Sequence, residues 1–261
     1  MDILLEPKKI SKFFVLVVIG LTLAQIAGQL LGFFLGPRPL TSIVKLFNFE
    51  EEQNFPAMYA SLALLFCSGL LTLIAYAKRK SGDSYSLQWA GLAVIFLFLS
   101  IDEMLEIHEL ISKLLRPSLD TSNFIYFVSW MIPYGIAGIV FLWIYVKFLF
   151  HLPGKTRTLF IVAGVIFIIG AVGLEVVAAI HNYLYDWTRK KSLVDMTYAA
   201  IVTVKELLEM VGVVVFIYAL TSYIASELKE LRLKITSSPE NVLTSSNQPV
   251  ASTNMVKGII K

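Results

Sequence analysis

Residues 91–110 read GLAVIFLFLSIDEMLEIHEL. An apolar run of this kind belongs to a membrane helix, yet Asp102, Glu103, Glu106, His108 and Glu109 follow it almost at once. A charged side chain at the middle of a spanning helix costs about 2.5 to 3.5 kcal/mol on insertion scales. Either the helix ends within this stretch, leaving part of it as a surface cap, or something compensates the acids.

The rest of the chain sets the context. Of 261 residues, 57% are hydrophobic and 16% charged, outside the range of soluble domains. The net charge of +3 is small and its basic residues fall between apolar runs. The charge therefore speaks of membrane orientation, and a nucleic-acid partner is excluded. A single cysteine, Cys67, rules out an intrachain disulfide.

A spanning helix needs about 20 mainly apolar residues. Six stretches meet that length, at roughly 13–36, 56–77, 87–112, 124–150, 158–185 and 196–225. The expected fold is an all-α, polytopic integral membrane bundle of six transmembrane helices. Residues 1–235 form that domain, and 236–261, rich in Ser, Thr, Asn and Pro, form a disordered polar tail. Gly36-Pro37 stops the first span, Asn54 with Pro56 starts the second, and Asp120-Thr121-Ser122 and Asp195 cap the fourth and sixth.

Lys8, Lys9, Lys12, Lys78, Arg79, Lys80, Lys147, Lys155, Arg157, Lys229, Arg232 and Lys234 fall on one side of such a bundle. Arg38, Lys45, Lys113, Arg116, Arg189, Lys190 and Lys191 fall on the other. The excess places both termini in the cytoplasm by the positive-inside rule.

Two other spans carry acids at a similar depth: "LEVVAAIHN" at 174–182 and "VKELLEMVG" at 204–212. At about 1.5 Å per residue, Asp102, Glu175 and Glu206 all lie on the order of 15 Å below the non-cytoplasmic surface. At about 100° per residue, Asp102, Leu105, His108 and Glu109 share one wedge of the third span. Glu175, Ala178, His181 and Asn182 share a wedge of the fifth, and Glu206, Glu209 and Val213 one of the sixth. Gly212 stands where the other two segments have histidine. Gln25 and Gln29 approach the same level, and Pro133 is expected to kink the fourth span and free a carbonyl near Ser129. Gly20, Ala24, Gly28, Gly32 and Gly36 form a ridge suited to close helix packing.

Lys205 neutralises only one of these acids, so the others must be protonated, hydrated or bound to a cation. A purely structural polar network is the bland alternative. The leading expectation is a metal site for zinc, iron or manganese, with Asp102, His108, Glu175, His181 and Glu206 as ligands. Glu209 and Glu109 would act as general acid or base, with Asn182, Lys205, Glu103 and Glu106 contacting substrate or supporting the ligands. About 9 Å of helix separates Asp102 from His108, so one ion does not take every candidate.

Such a site makes the chain a membrane-embedded metal-dependent enzyme, hydrolase or oxidoreductase, acting on a lipid or other apolar, lipid-linked substrate. The alternatives are a proton- or cation-coupled transporter and a haem b electron-transfer protein using His108 and His181 as axial ligands.

Overall fold

The computed structural model describes residues 6–35, 44–49, 54–118, 128–184 and 196–227. Among these, every regular element is helical. The chain divides into a helical unit, Met1–Leu231, and a second unit, Arg232–Lys261. The second unit, which holds the expected polar tail, lies outside the described residues, as do the caps at 120–122 and 195, the Gly36-Pro37 stop and the basic residues 189–191.

The helices are α1 (Pro7–Leu35), α2 (Phe55–Lys80), α3 (Ser86–Leu105), α4 (Ile107–Leu115), α5 (Met131–His151), α6 (Gly154–Ile168), α7 (Glu175–Leu184) and α8 (Met196–Glu227). A π-helical segment, Ile169–Leu174, joins α6 to α7. Five segments are long and apolar enough to cross a membrane: Pro7–Phe34, Phe55–Lys80, Ser86–Leu105, Met131–His151 and Gly154–Leu184. The chain is thus an all-α membrane bundle, with five supported crossings where six were expected. The remaining long helix, α8, is the strut on which α1, α2, α6, the π-helical segment and α7 pack, buried at Met210, Val213, Val214, Phe216, Ile217, Leu220 and Ile224.

Local chemistry explains the best-defined boundaries. Asn54 caps α2 by accepting the Ala57 N–H at 3.0 Å, and Pro56 sits in the first turn, where a missing N–H costs nothing. At the other end of α2, Gly82 takes φ +73°, a left-handed conformation suited to glycine. Asp83 then accepts the Tyr85 N–H at 2.8 Å and pairs with Lys78 at 3.1 Å.

The α2–α3 hairpin is bound along its length by small hydroxyls. Ser61 Oγ donates to the Ser100 carbonyl, Ser100 Oγ to the Ser61 carbonyl and Ser68 Oγ to the Ala93 carbonyl, each at 2.8 Å. Beneath them lies an aromatic core in which Trp89 touches Phe148 and Tyr223 at 5.0 Å between ring centroids. Leucines and isoleucines elsewhere face outward, most plainly on α5, where Trp143 is 80% exposed and Phe148 is the buried residue. Apolar side chains turned away from the core are what a bilayer selects.

Three sequence expectations change. Pro133 lies in the first turn of α5 rather than inside a helix, because the helix begins at Met131 instead of 124. It does not free the Ser129 carbonyl, which accepts the Ile132 N–H at 3.4 Å. The glycine ridge of α1 is not one packed face, since a side chain at Gly20 would meet open space, whereas one at Gly28 would meet Val44 at 3.1 Å. Finally, the third span does not run unbroken to 112. It stops at Leu105, and Glu106 turns the chain with φ 56° and ψ 41° before α4 begins.

Gln25 and Gln29 have a structural use. Gln25 accepts the Phe49 N–H at 3.2 Å and donates to Thr203 Oγ1 at 3.3 Å, and Gln29 donates to Asn48 Oδ1 at 3.2 Å. Asn54 donates to the Asn48 carbonyl at 2.6 Å. These amides satisfy an irregular segment, residues 44–49, whose Phe49 is buried with Val18, Leu21, Val202, Met210 and Val214 between α1 and α8. Non-helical backbone at such depth persists only where protein groups supply its hydrogen bonds.

Candidate functional site: a lysine among carboxylates at two interrupted helices

The site is built on a close crossing of helices. A Cβ at Gly212 would stand 3.0 Å from the Ala163 carbonyl and from Phe167, and one at Gly170 would stand 2.8 Å from the Lys205 carbonyl. Glycine at both points lets α8 lie directly on α6 and on the π-helical turn. Gly212 is therefore a packing glycine, which is why that segment has no histidine at the matching position.

Gly170 belongs to the π-helix, and Glu175 follows it as the first residue of α7. Five ordinary α-helical steps would carry position 175 about 140° away from position 170. The wider i→i+5 turn takes up that excess and brings Glu175 to the α8 side. There its Oε2 accepts from Lys205 Nζ at 2.9 Å. Glu206 Oε1 stands 3.3 Å from the same ammonium.

Glu209, one turn further along α8, interacts with Lys205, Glu206, Glu175 and Glu103. Glu103, on α3, is within range of Glu206, Lys205, His108 and Asp102. One ammonium thus contacts two carboxylates, with two further carboxyl groups in its electrostatic neighbourhood, the four drawn from three elements. Lys205, Glu175 and Glu206 each keep about a fifth of their side-chain surface exposed, with values of 21%, 22% and 22%. The cluster is sunk in the bundle without being sealed.

A second group adjoins it at the α3–α4 break. Asp102 is buried, and its Oδ1 accepts the His108 backbone N–H at 2.8 Å and lies 3.3 Å from His108 Nδ1. Asp102 therefore caps α4 from across the break. Trp130 lies 5.7 Å from the His108 ring and packs edge-on against Tyr134 at 5.6 Å.

The expected site residues sort as follows. Glu175, Lys205, Glu206, Glu209 and Glu103 come together, and Asp102 and His108 come together. His181 packs instead against Tyr198, at 5.8 Å between ring centroids. Glu109 turns to Arg116 at 3.4 Å. The predicted wedge of Asp102, Leu105, His108 and Glu109 does not hold, because the turn at Glu106 re-aims everything after it and Leu105 is 66% exposed. The wedge on α7 keeps its inward side through buried Ala178. Asn182 is half-buried on that helix, and Glu106 serves as the turn itself. Among the described residues, no three His, Cys, Asp or Glu side chains are disposed to hold one metal ion. Tyr134, Trp130 and the π-helical turn escape a sequence reading. Gly170 and Gly173 before Glu175 are the one local sign of the turn.

An all-α membrane bundle with a polar cluster at interrupted helices is the class that fold and site define. Residues 13–224 match the family described as Domain of unknown function (DUF8692), and the chain belongs to that family. No curated protein and no solved structure matches it.

Proposed function

We propose that this protein is a proton- or cation-coupled membrane transporter whose coupling site is the Glu103–Glu175–Lys205–Glu206–Glu209 cluster. The observation that carries the reading is the Lys205 ammonium held 2.9 Å from Glu175 and 3.3 Å from Glu206, with the Glu209 and Glu103 carboxyl groups in the same electrostatic neighbourhood. With one positive charge against four carboxyl groups, the cluster must take up protons, water or a cation to remain inside a bilayer. Two helices are interrupted beside it, at Glu106 and at Ile169–Leu174. Interrupted helices around a charged site are a recurring device of secondary transporters. By the positive-inside rule, and with α8 as a sixth crossing, the cluster would open away from the cytoplasm, with both termini inside.

The test is flux in proteoliposomes carrying an internal pH dye, or radiolabelled sodium, under an imposed gradient and a panel of candidate solutes. Solute-dependent proton or sodium movement, reduced at least tenfold in Glu175→Gln and Glu209→Gln, is the expected result. Absence of both fluxes from folded protein over the whole panel would sink the transporter.

A metal-dependent enzyme acting on an apolar substrate is the second reading, favoured by the Asp102–His108 pair, whose carboxylate and imidazole suit zinc, iron or manganese. Stoichiometric metal in purified protein, lost in His108→Ala, would put that reading first; a Soret band would put haem b first.

A further inference from the structure

A soluble amphipathic helix turns its apolar side to the core and its polar side to water. Helix α4 does the reverse. At about 100° per residue, Ile107, Leu110, Ile111, Leu114 and Leu115 fall on one side and His108, Glu109, Ser112 and Lys113 on the other. The polar side carries the contacts with the rest of the protein: Ser112 is fully buried, and His108 is engaged by Asp102 and lies 5.7 Å from the Trp130 ring, while Glu109 pairs locally with Arg116 at the end of α4. The leucine side faces out, with Leu110 56% and Leu114 70% exposed.

What covers those leucines follows from the element before them. Ile101, Met104 and Leu105, on the last turn of α3, are exposed in the same manner, and α3 is one of the segments fit to cross a membrane. The apolar surface of that helix passes into α4 across one residue, Glu106, whose left-handed backbone turns the axis at the end of the span. Asp102 holds the turn by capping the new helix. Lys113 is exposed at the flank of the leucine side, where a long side chain can reach headgroups while its stem lies along the acyl boundary.

The geometry points to α4 as a lateral membrane helix, lying in the bilayer where α3 ends, with its leucine side in acyl chains and its polar side on the bundle. Interfacial helices elsewhere bind lipid by this same division of faces, and here the polar side meets protein. This inference stands apart from the transport reading, because it rests on α3, α4 and their exposure alone.

Site-directed spin labelling tests it. Single cysteines replace Leu110, Leu114 and Lys113 in the Cys67→Ala background, in protein reconstituted into phosphatidylcholine vesicles. Val94→Cys serves as the lipid-facing reference and Ser81→Cys as the aqueous one. Collision rates are measured with oxygen, which concentrates in acyl chains, and with a water-soluble nickel chelate. Labels at 110 and 114 should follow Val94, with oxygen favoured over nickel severalfold, and the label at 113 should move toward Ser81. Nickel access at 110 and 114 equal to that at Ser81 would overturn the proposal by putting α4 in water. Protection of 110 and 114 from both reagents would overturn it in favour of a second copy covering the helix. Both positions are largely exposed, so labelling them leaves the packing intact, and a Glu106→Gly variant that keeps the turn should reproduce the wild-type pattern.

Discussion

The two halves of α8 are held in different ways. From Val213 to Ile224 the helix is buried in an apolar core with Trp89, Phe148, Phe160 and Leu71, which come from regular stretches of their helices. From Met196 to Glu209 it carries Lys205, Glu206 and Glu209, and beside α1 its neighbours are a π-helical turn and the end of a helix that breaks at Glu106. The first half gains from burial and van der Waals contact, which tolerate many arrangements of similar volume. The second depends on one ammonium placed among acids, which tolerates few, because losing it leaves charge uncompensated in a poorly polarisable medium. The difference marks the first half as scaffold and the second as the place where protonation or ion binding has a structural effect.

Removing the lysine should break this contrast most severely. Lys205→Ala leaves Glu175, Glu206, Glu209 and Glu103 without their counter-charge and should cost about 3 to 5 kcal/mol, the scale for a broken buried ion pair. Thermal unfolding in detergent would read it, and Lys205→Ala combined with Glu175→Gln should recover part of the loss. Trp89→Ala in the apolar half should cost a similar amount, about 3 to 5 kcal/mol, but with no rescue by any charge change. If the double variant is no more stable than Lys205→Ala, the ion pair does not hold this half together.

Widening the helix crossing should have a smaller effect. Gly170→Ala places a methyl group 2.8 Å from the Lys205 carbonyl, and Gly212→Ala one 3.0 Å from the Ala163 carbonyl. Each should cost about 1 to 3 kcal/mol as overpacking. Gly170→Ala alone should also disturb proton or cation movement, since it displaces the turn that leads into Glu175, the partner of Lys205. Equal functional loss in both variants would erase the proposed division between scaffold and site.

The smallest effect is expected at the opposite end of α2. Burial works against the Asp83 carboxylate, but the Tyr85 N–H and the Lys78 ammonium outweigh it and hold the group below its ordinary range. A depressed carboxylate contributes stability that is present above its unfolded value and is lost as pH falls through the folded one. Asp83→Asn should therefore lower stability by about 1 kcal/mol near neutrality and progressively less in strong acid. Denaturant titrations at several pH values would detect this, and a penalty that does not shrink in acid would remove the charge from the explanation.

How far the sequence carries can be judged residue by residue. Apolar run length identifies the membrane class, and Asn54 with Pro56 identifies the start of α2, because these depend on local composition and on backbone groups a few positions away. The acids on three helices are also legible, but a depth counted along the third span is not, because the count assumes a helix that runs past Glu106. Neither is their grouping. A helical wheel assumes that every step turns the chain equally, and one left-handed residue at Glu106 or one wide turn at Ile169–Leu174 changes the phase of all that follows. The pairing of Lys205 with Glu175 depends on that wide turn and on glycines at 170 and 212 that admit a neighbouring backbone. Sequence by itself determined what kind of solvent this chain needs and which side chains would be costly there. Tertiary structure decided which of them meet, because contact between helices depends on phase and approach distance, and neither is a property of one segment alone.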